Sequence, residues 1–199
     1  MTESLLGPSK EGLVFILSAP AGTGKTTLVR MLTKEFSRVV QSISYTTRKP
    51  RADEKMGVHY AFISKKGFEE KIASGDFLEY ALVFNDYYGT CKKDVEENRK
   101  KGLHTVLVID TQGALELRRQ KLRAVFIFVS PPSIESLKDR LCARGSDCEQ
   151  TMSTRLSWAK REMETAIQYD YHFINDDLDV AYSILRSIVI AETHKTAGA

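Results

Sequence analysis

The chain has 199 residues, 42% hydrophobic and 28% charged, enough for one domain of ordinary size or one core with an inserted lobe. That balance excludes a disordered tail and a membrane-spanning chain. With 29 basic against 26 acidic residues the formal charge is +3, too small to mark a nucleic-acid binder, and clusters such as Lys65-Lys66 and Lys100-Lys101 read as solvated faces. Cys91, Cys142 and Cys148 are odd in number and lack a CxxC spacing, so reduced thiols and a cytoplasmic setting are expected rather than a disulfide framework. The opening MTESLLGPSKEG has no basic start followed by an apolar run, and the apolar residues 13–17 are too few to cross a bilayer, so no membrane partner is expected.

In chain order, residues 13–17 (Leu-Val-Phe-Ile-Leu) are a continuous apolar run ended by small residues, the pattern of a strand buried on both faces of a parallel sheet. A helix follows, starting at Thr23 or Gly24, with Leu28, Met31, Leu32 and Phe36 at helical spacing. Apolar runs return at 39–43, 105–109 and 124–129, each followed by helical spacing or a polar connection, which implies right-handed βαβ units and a doubly wound α/β fold with a central parallel sheet. Between 44 and about 93 the pattern changes. Residues 48–57 are polar and carry Pro50, while 59–63 and 77–84 read as strands flanking a helix over 67–73.

This stretch reads as an inserted α+β lobe, 45–90, within a core made of 12–44 and 91–195; the termini, 1–11 and 196–199, are expected to be flexible. After Pro131-Pro132, Ser133 is placed to cap a helix with Ile134, Leu137 and Leu141 on one face. A second helix is expected over 149–168, with Met152, Leu156, Ala159, Met163 and Ile167 on a shared face, and a last one from near Asp177 through Leu178, Tyr182, Leu185 and Val189.

The stretch Ala19-Pro20-Ala21-Gly22-Thr23-Gly24-Lys25-Thr26 fits the P-loop pattern G-x-x-x-x-G-K-[ST] at every place but the first, where alanine stands for glycine. Small residues let backbone N–H groups curl around phosphate, the following helix adds positive potential, Lys25 reaches the outer phosphates, and Thr26 offers a hydroxyl to Mg²⁺. The plain alternative is a glycine-rich turn without a ligand. Further on, Arg48 and Arg51 lie three residues apart in a loop bounded by Pro50 and Gly57, and guanidinium forks suit a phosphate dianion. The plain alternative there is a basic turn paired with Asp53 and Glu54.

The order S-x-T-T-R-x-x-R-x-x-E-x-x-G-x-x-Y from Ser44 to Tyr60, behind a P-loop at this distance, resembles the guanylate kinases, and the likeness continues from about residue 13 to residue 182. It implies a P-loop kinase fold with an inserted GMP-binding lobe and an arginine-rich lid at about 140–158, in a stand-alone enzyme of bacterial type. It further implies that Arg48, Arg51, Tyr60 and Tyr88 hold the phosphate of GMP, with Glu54 in the same loop, and that Ser44, Glu79 and Thr90 read the guanine. A carboxylate accepts two hydrogen bonds from guanine N1–H and the 2-amino group, which adenine cannot offer, so Glu79 is expected to discriminate by roughly 10²-fold to 10⁴-fold.

The apolar run ending at Asp110 is a Walker-B arrangement, and Thr111-Gln112-Gly113 continues the resemblance. Asp110 joins Thr26 as a metal candidate, while Val108 stands where related chains carry another acid. Arg140, Arg144 and Arg155 bracket a polar segment like the family's lid; mobile cations there stabilise a transferring phosphoryl group. Their plain alternative is an exposed helix face paired with Asp139 or Glu149. In the resemblance, Asn175 of N-D-D-L-D lies beside adenine.

Trp158, Tyr169 and Tyr171 read as packing residues, and the four histidines show no metal spacing. The expected reaction is transfer of the γ-phosphoryl group of ATP to GMP with Mg²⁺, by a monomer or homodimer needing no nucleic acid. A catalytically silent interaction module and a P-loop kinase for another nucleotide are the alternatives.

Overall fold

The computed structural model describes residues 2–8, 10–51, 54–143 and 149–196, and among these nine strands form two sheets. The apolar runs build the larger one from β1 (Val14–Ser18), β2 (Val39–Gln41), β7 (His104–Val108), β8 (Val125–Ser130) and β9 (Tyr171–Ile174), in the order β2-β7-β1-β8-β9. Every pairing in it is parallel, with Phe15 opposite Val106 on one side and Ile16 opposite Phe126 on the other.

Successive residues of a strand face opposite ways, so a central strand covered on both faces must be apolar throughout, as β1 is. Phe15 and Leu17 pack with Leu28 and Leu32 of α1 (Lys25–Glu35) and with Leu185 and Val189 of α7 (Leu178–Thr193). Val14 and Ile16 face the other way, toward Val95 of α3 (Lys92–Lys100) and Leu117 of α4 (Thr111–Arg119). A third cluster joins Leu137 and Leu141 of α5 (Ile134–Cys142) to Met152 and Ala159 of α6 (Glu149–Glu164). Side-chain oxygens close the helix starts: Ser133 accepts the Ser136 N–H, and Asp177 that of Val180.

The second sheet contains β3 (Tyr45–Thr46), β4 (Ala61–Phe62), β5 (Phe77–Val83) and β6 (Asp86–Cys91), ordered β4-β3-β6-β5. Ser64 caps α2 (Lys65–Ala73), and Phe68 fixes that helix to the sheet by stacking 4.4 Å from Phe77 and 5.1 Å from Tyr87. β5 and β6 are antiparallel and joined by Phe84 and Asn85, both at positive φ, which matches the twist of a two-residue hairpin. Along β5, Glu79 and Ala81 point inward and Tyr80 and Leu82 outward.

Two expectations need correcting. The helix expected to run to residue 168 ends as an α-helix at Glu164 and finishes in a 3-10 turn, Thr165–Gln168. The tighter winding turns Ala166 inward and leaves Ile167 91% exposed, away from the shared apolar face. The opening segment, expected to be flexible, is docked where it is described. Thr2–Leu5 forms a 3-10 helix, Leu6 joins the main core, the Gly7 N–H donates to Thr193 Oγ1 at 2.9 Å, and Arg38 donates to the Leu6 carbonyl at 3.1 Å.

Candidate active site

The carboxyl ends of the parallel strands converge on one cleft: β1 runs into the P-loop, β7 into Asp110 and β9 into Asn175, where open α/β sheets hold ligands. A cavity of about 290 Å³ there is lined by residues 19–27 on one side and by residues of the second sheet on the other. Gly22 and Gly24 have φ of 91° and 101°, the left-handed region that turns successive N–H groups the same way. Gly24 caps α1, and a Cβ there would lie 2.6 Å from Asn175 Nδ2.

Ala19 is buried and does not have positive φ, so alanine meets the geometry of the motif's first position without strain. Lys25 Nζ donates to the carbonyl of Ala19 and, at 3.4 Å, to that of Pro20, which keeps the ammonium at the loop's mouth. Pro20, Ala21, Thr23 and Thr26 complete the lining of this side. Asn175 is buried and donates Nδ2–H to the Thr23 carbonyl at 2.6 Å, bracing the loop from behind. It also lines a second, shallower cavity with Arg140, Asp176 and Leu178.

Opposite the P-loop, the second sheet and its loops present side chains rather than backbone. Arg48 donates from Nε to the Tyr88 hydroxyl at 3.1 Å and from Nη2 to Glu54 Oε1 at 2.8 Å, and its guanidinium lies 5.5 Å from the Tyr60 ring centre. Burial opposes the Arg48 charge, but hydrogen bonds to Glu54 and Tyr88 outweigh it and raise the pKa. Glu54 Oε2 accepts the Arg51 N–H at 2.8 Å. Burial works against ionising Glu54; the bonds from Arg48 and Arg51 prevail and hold it below the usual carboxylate range. Glu54 is thus the anionic holder of the arginine loop. Expected among the GMP contacts, it meets the two arginines of that loop. Arg51, Tyr60 and Ser44 line the same cavity.

Deeper in, Glu79 is 5% exposed and accepts the Thr90 hydroxyl at 2.6 Å. Burial pushes its carboxyl up to about 7, with the nearby Asp110 charge adding to the effect and the Thr90 bond opposing it. A Cβ on Gly113 would lie 2.3 Å from Glu79 Oε2, so the bare glycine leaves the slot the carboxylate occupies. Asp110 lines the cavity and caps α4, accepting the Gly113 N–H at 2.9 Å and the Gln112 amide at 3.2 Å. Burial raises its pKa against the pull of those bonds and of Lys25.

Arg140 and Arg155 of the expected arginine trio line different cavities. Arg155 lines the main cavity, Arg140 lines the second one behind the P-loop, and Arg144 lies outside the described residues. Among the lining residues not expected at the site are Phe84, Trp158 and Glu162. Burial pushes the Glu162 carboxyl up to about 7 against the attraction of Lys25, and its side chain bonds to Thr111. Residues 155, 158 and 162 share one face of α6, a signal visible as spacing once the helix is known to border the cleft. Trp158, read as packing, contributes its ring to the cavity wall.

No group of three or more His, Cys, Asp and Glu among the described residues forms a metal cage. Thr26 and Asp110, oxygen donors lining one cavity, fit the sparse donor set of a magnesium ion that keeps its waters and takes phosphate oxygens.

A P-loop on a parallel sheet, facing across one cleft a lobe with an arginine loop and a buried carboxylate, defines a nucleoside monophosphate kinase. Residues 11–192 match the family model described as Guanylate kinase. The guanylate kinase of Protochlamydia amoebophila is 55% identical over 190 residues, spanning 95% of each chain, and that of Clostridioides difficile is 41% identical over 188 residues, spanning 94% of this chain and 92% of its own. The crystal structure of guanylate kinase from Anaplasma phagocytophilum superposes with a TM-score of 0.78 at 34% identity, covering 94% of this chain and 89% of that one. The chain belongs to the guanylate kinase family, the ATP:GMP phosphotransferases.

Proposed function

We propose a division of labour among these residues for transfer of the γ-phosphoryl group of ATP to GMP, the reaction of the family to which the chain belongs. The observation that carries it is the buried Glu79–Thr90 pair, set in the same cleft as the P-loop. With Thr90 donating to one carboxylate oxygen, Glu79 keeps lone pairs for guanine N1–H and the 2-amino group, beside Ser44. Adenine puts an acceptor where guanine has N1–H and leaves the carboxylate unpaired. Arg48, Arg51, Tyr60 and Tyr88 hold the acceptor phosphate, whose oxygen is already a nucleophile, so the chain supplies alignment and positive charge rather than a general base.

The P-loop N–H groups and Lys25 hold the donor phosphates, and Lys25 follows the transferring group. Arg155 stabilises charge on the same group from the α6 side, while Arg140 and Asn175 belong to the nucleoside end of the ATP site. Thr26 and Asp110 would hold magnesium, which would supply positive charge to the donor phosphates when bound with ATP. Among the described residues no helix is long and apolar enough to cross a membrane, and Cys91 and Cys142 are unbridged. The proposed reading is of a cytoplasmic enzyme acting on small molecules as a monomer or homodimer, with neither nucleic acid nor membrane as partner.

Initial rates of ADP release with GMP, AMP, CMP and UMP test this reading. GMP is expected to lead AMP by roughly 10²-fold or more in kcat/KM. Equal rates for the two purines would remove the role of Glu79, and no turnover with any acceptor would leave a nucleotide-binding module.

A further inference from the structure

The tip of the β5–β6 hairpin carries a conflict between sequence and backbone. Asn85 (φ 70°) belongs to the residue types that accept left-handed geometry, whereas Phe84 (φ 49°) is a bulky residue for which it is strained. Burial does not explain a phenylalanine there, because Phe84 is 43% exposed. Its ring instead reaches across the mouth of the cleft to α6, with its centre 5.2 Å from that of Trp158 at an interplanar angle of 45°. The Arg155 guanidinium lies 5.8 Å from the Phe84 ring centre, within cation–π range. All three side chains line the cavity shared by the P-loop and the acceptor loop. One aromatic contact therefore links the acceptor lobe to a helix of the core, and the same ring seats an arginine between them.

We infer that Phe84 and Trp158 are positioning residues: their contact clasps the hairpin of the acceptor lobe to α6 and sets the Arg155 guanidinium over the path between donor and acceptor phosphates. The positioning role rests on the phosphoryl-transfer reading above. A strained residue held at a functional cleft is the pattern from which such a role follows. The clasp acts on the transfer step and leaves both nucleotide pockets formed, because neither ring touches the base-reading pair or the P-loop backbone in the bonds described.

Trp158 is the chain's single tryptophan, so its emission reports the contact directly. Phe84→Gly removes the ring and suits the backbone, so it separates loss of the clasp from loss of the fold; Phe84→Tyr keeps the ring. In Phe84→Gly the Trp158 emission is expected to shift red and become more open to acrylamide quenching. Its kcat should fall about tenfold, while KM for GMP and for ATP stays within about threefold. Phe84→Tyr should restore emission and kcat, Trp158→Ala should reproduce the kcat loss, and the double variant Phe84→Gly/Trp158→Ala should be no slower than the worse single. Unchanged emission and kcat in Phe84→Gly, or equal losses in Phe84→Gly and Phe84→Tyr, would overturn the clasp. A chain that fails to phosphorylate GMP even unaltered would overturn the reaction, and with it the positioning role, whereas the emission shift would still report the ring contact on its own.

Discussion

The two walls of the cleft are built from different materials. The P-loop wall is mainly backbone: two glycines at positive φ, a helix start and one long side chain, all within eight consecutive residues. The acceptor wall is made of side chains from separate strands and loops, each held by another: Arg48 by Glu54 and Tyr88, Glu79 by Thr90 and the bare Gly113. A backbone cradle tolerates a change of residue that leaves φ and size acceptable, as Ala19 shows. A wall of side chains transmits the loss of any support to the group that meets the substrate.

The contrast breaks most readily at the single side chain on which the backbone wall depends. Lys25→Ala should lower kcat by roughly 10²-fold to 10³-fold in a coupled ADP assay, with a smaller change in KM for GMP. The next effect lies on the other wall and depends on pH. In the proposed role Glu79 accepts guanine's two N–H donors as a carboxylate, so kcat/KM for GMP should rise as the pH passes up through about 7, and Glu79→Gln should flatten that rise and lower the plateau about 10²-fold.

The stability sign is opposite. Burial raises the Glu79 pKa from its ordinary 4.5, so its contribution to the ligand-free fold is present in full below pH 4.5 and lost as the pH rises through about 7. Thermal melts of the wild type and of Glu79→Gln measure the difference, which must come from the variant because Glu162 titrates in the same range beside Lys25 and Asp110.

Gly113→Ala sharpens the comparison further by touching a support and no substrate contact. With Cβ 2.3 Å from Glu79 Oε2 it should cost about 1–3 kcal/mol of stability in denaturant titration and weaken GMP binding, leaving KM for ATP within about twofold. The smallest effect is expected at Ala19→Gly. It restores the strict motif at a position without positive φ, so kcat/KM should stay within about twofold of the original.

These differences also decide what could be read from the sequence. A site built of contiguous backbone leaves a contiguous signature, so residues 19–26 and the sheet strands flanking them are legible from pattern alone. The acceptor side is spread from Ser44 to Thr90 and becomes legible through the spacing of Arg48, Arg51, Tyr60, Glu79 and Tyr88, which carries the family likeness.

Supports that act only in three dimensions do not show their role in the local pattern. Gly113 matters through Glu79, Phe84 through Trp158, and Glu162 through a helix whose facing the periodicity could not give. α3 also escapes a hydrophobic reading, because Val95 is its one buried residue and most of the rest of Lys92–Lys100 is charged. The expected stripe on α6 failed at Ile167, since a change of helix type resets the angular step between residues.

The docked opening segment has one more consequence. α7 returns from the cleft end of β9 to the opposite rim of the sheet, where the Leu5 carbonyl accepts the His194 Nε2–H at 3.1 Å and Gly7 meets Thr193. These contacts pin the opening segment to the last turn of α7 on the side remote from the cleft. A change at that seam would act on the anchoring of α7 and leave the cleft's own contacts in place.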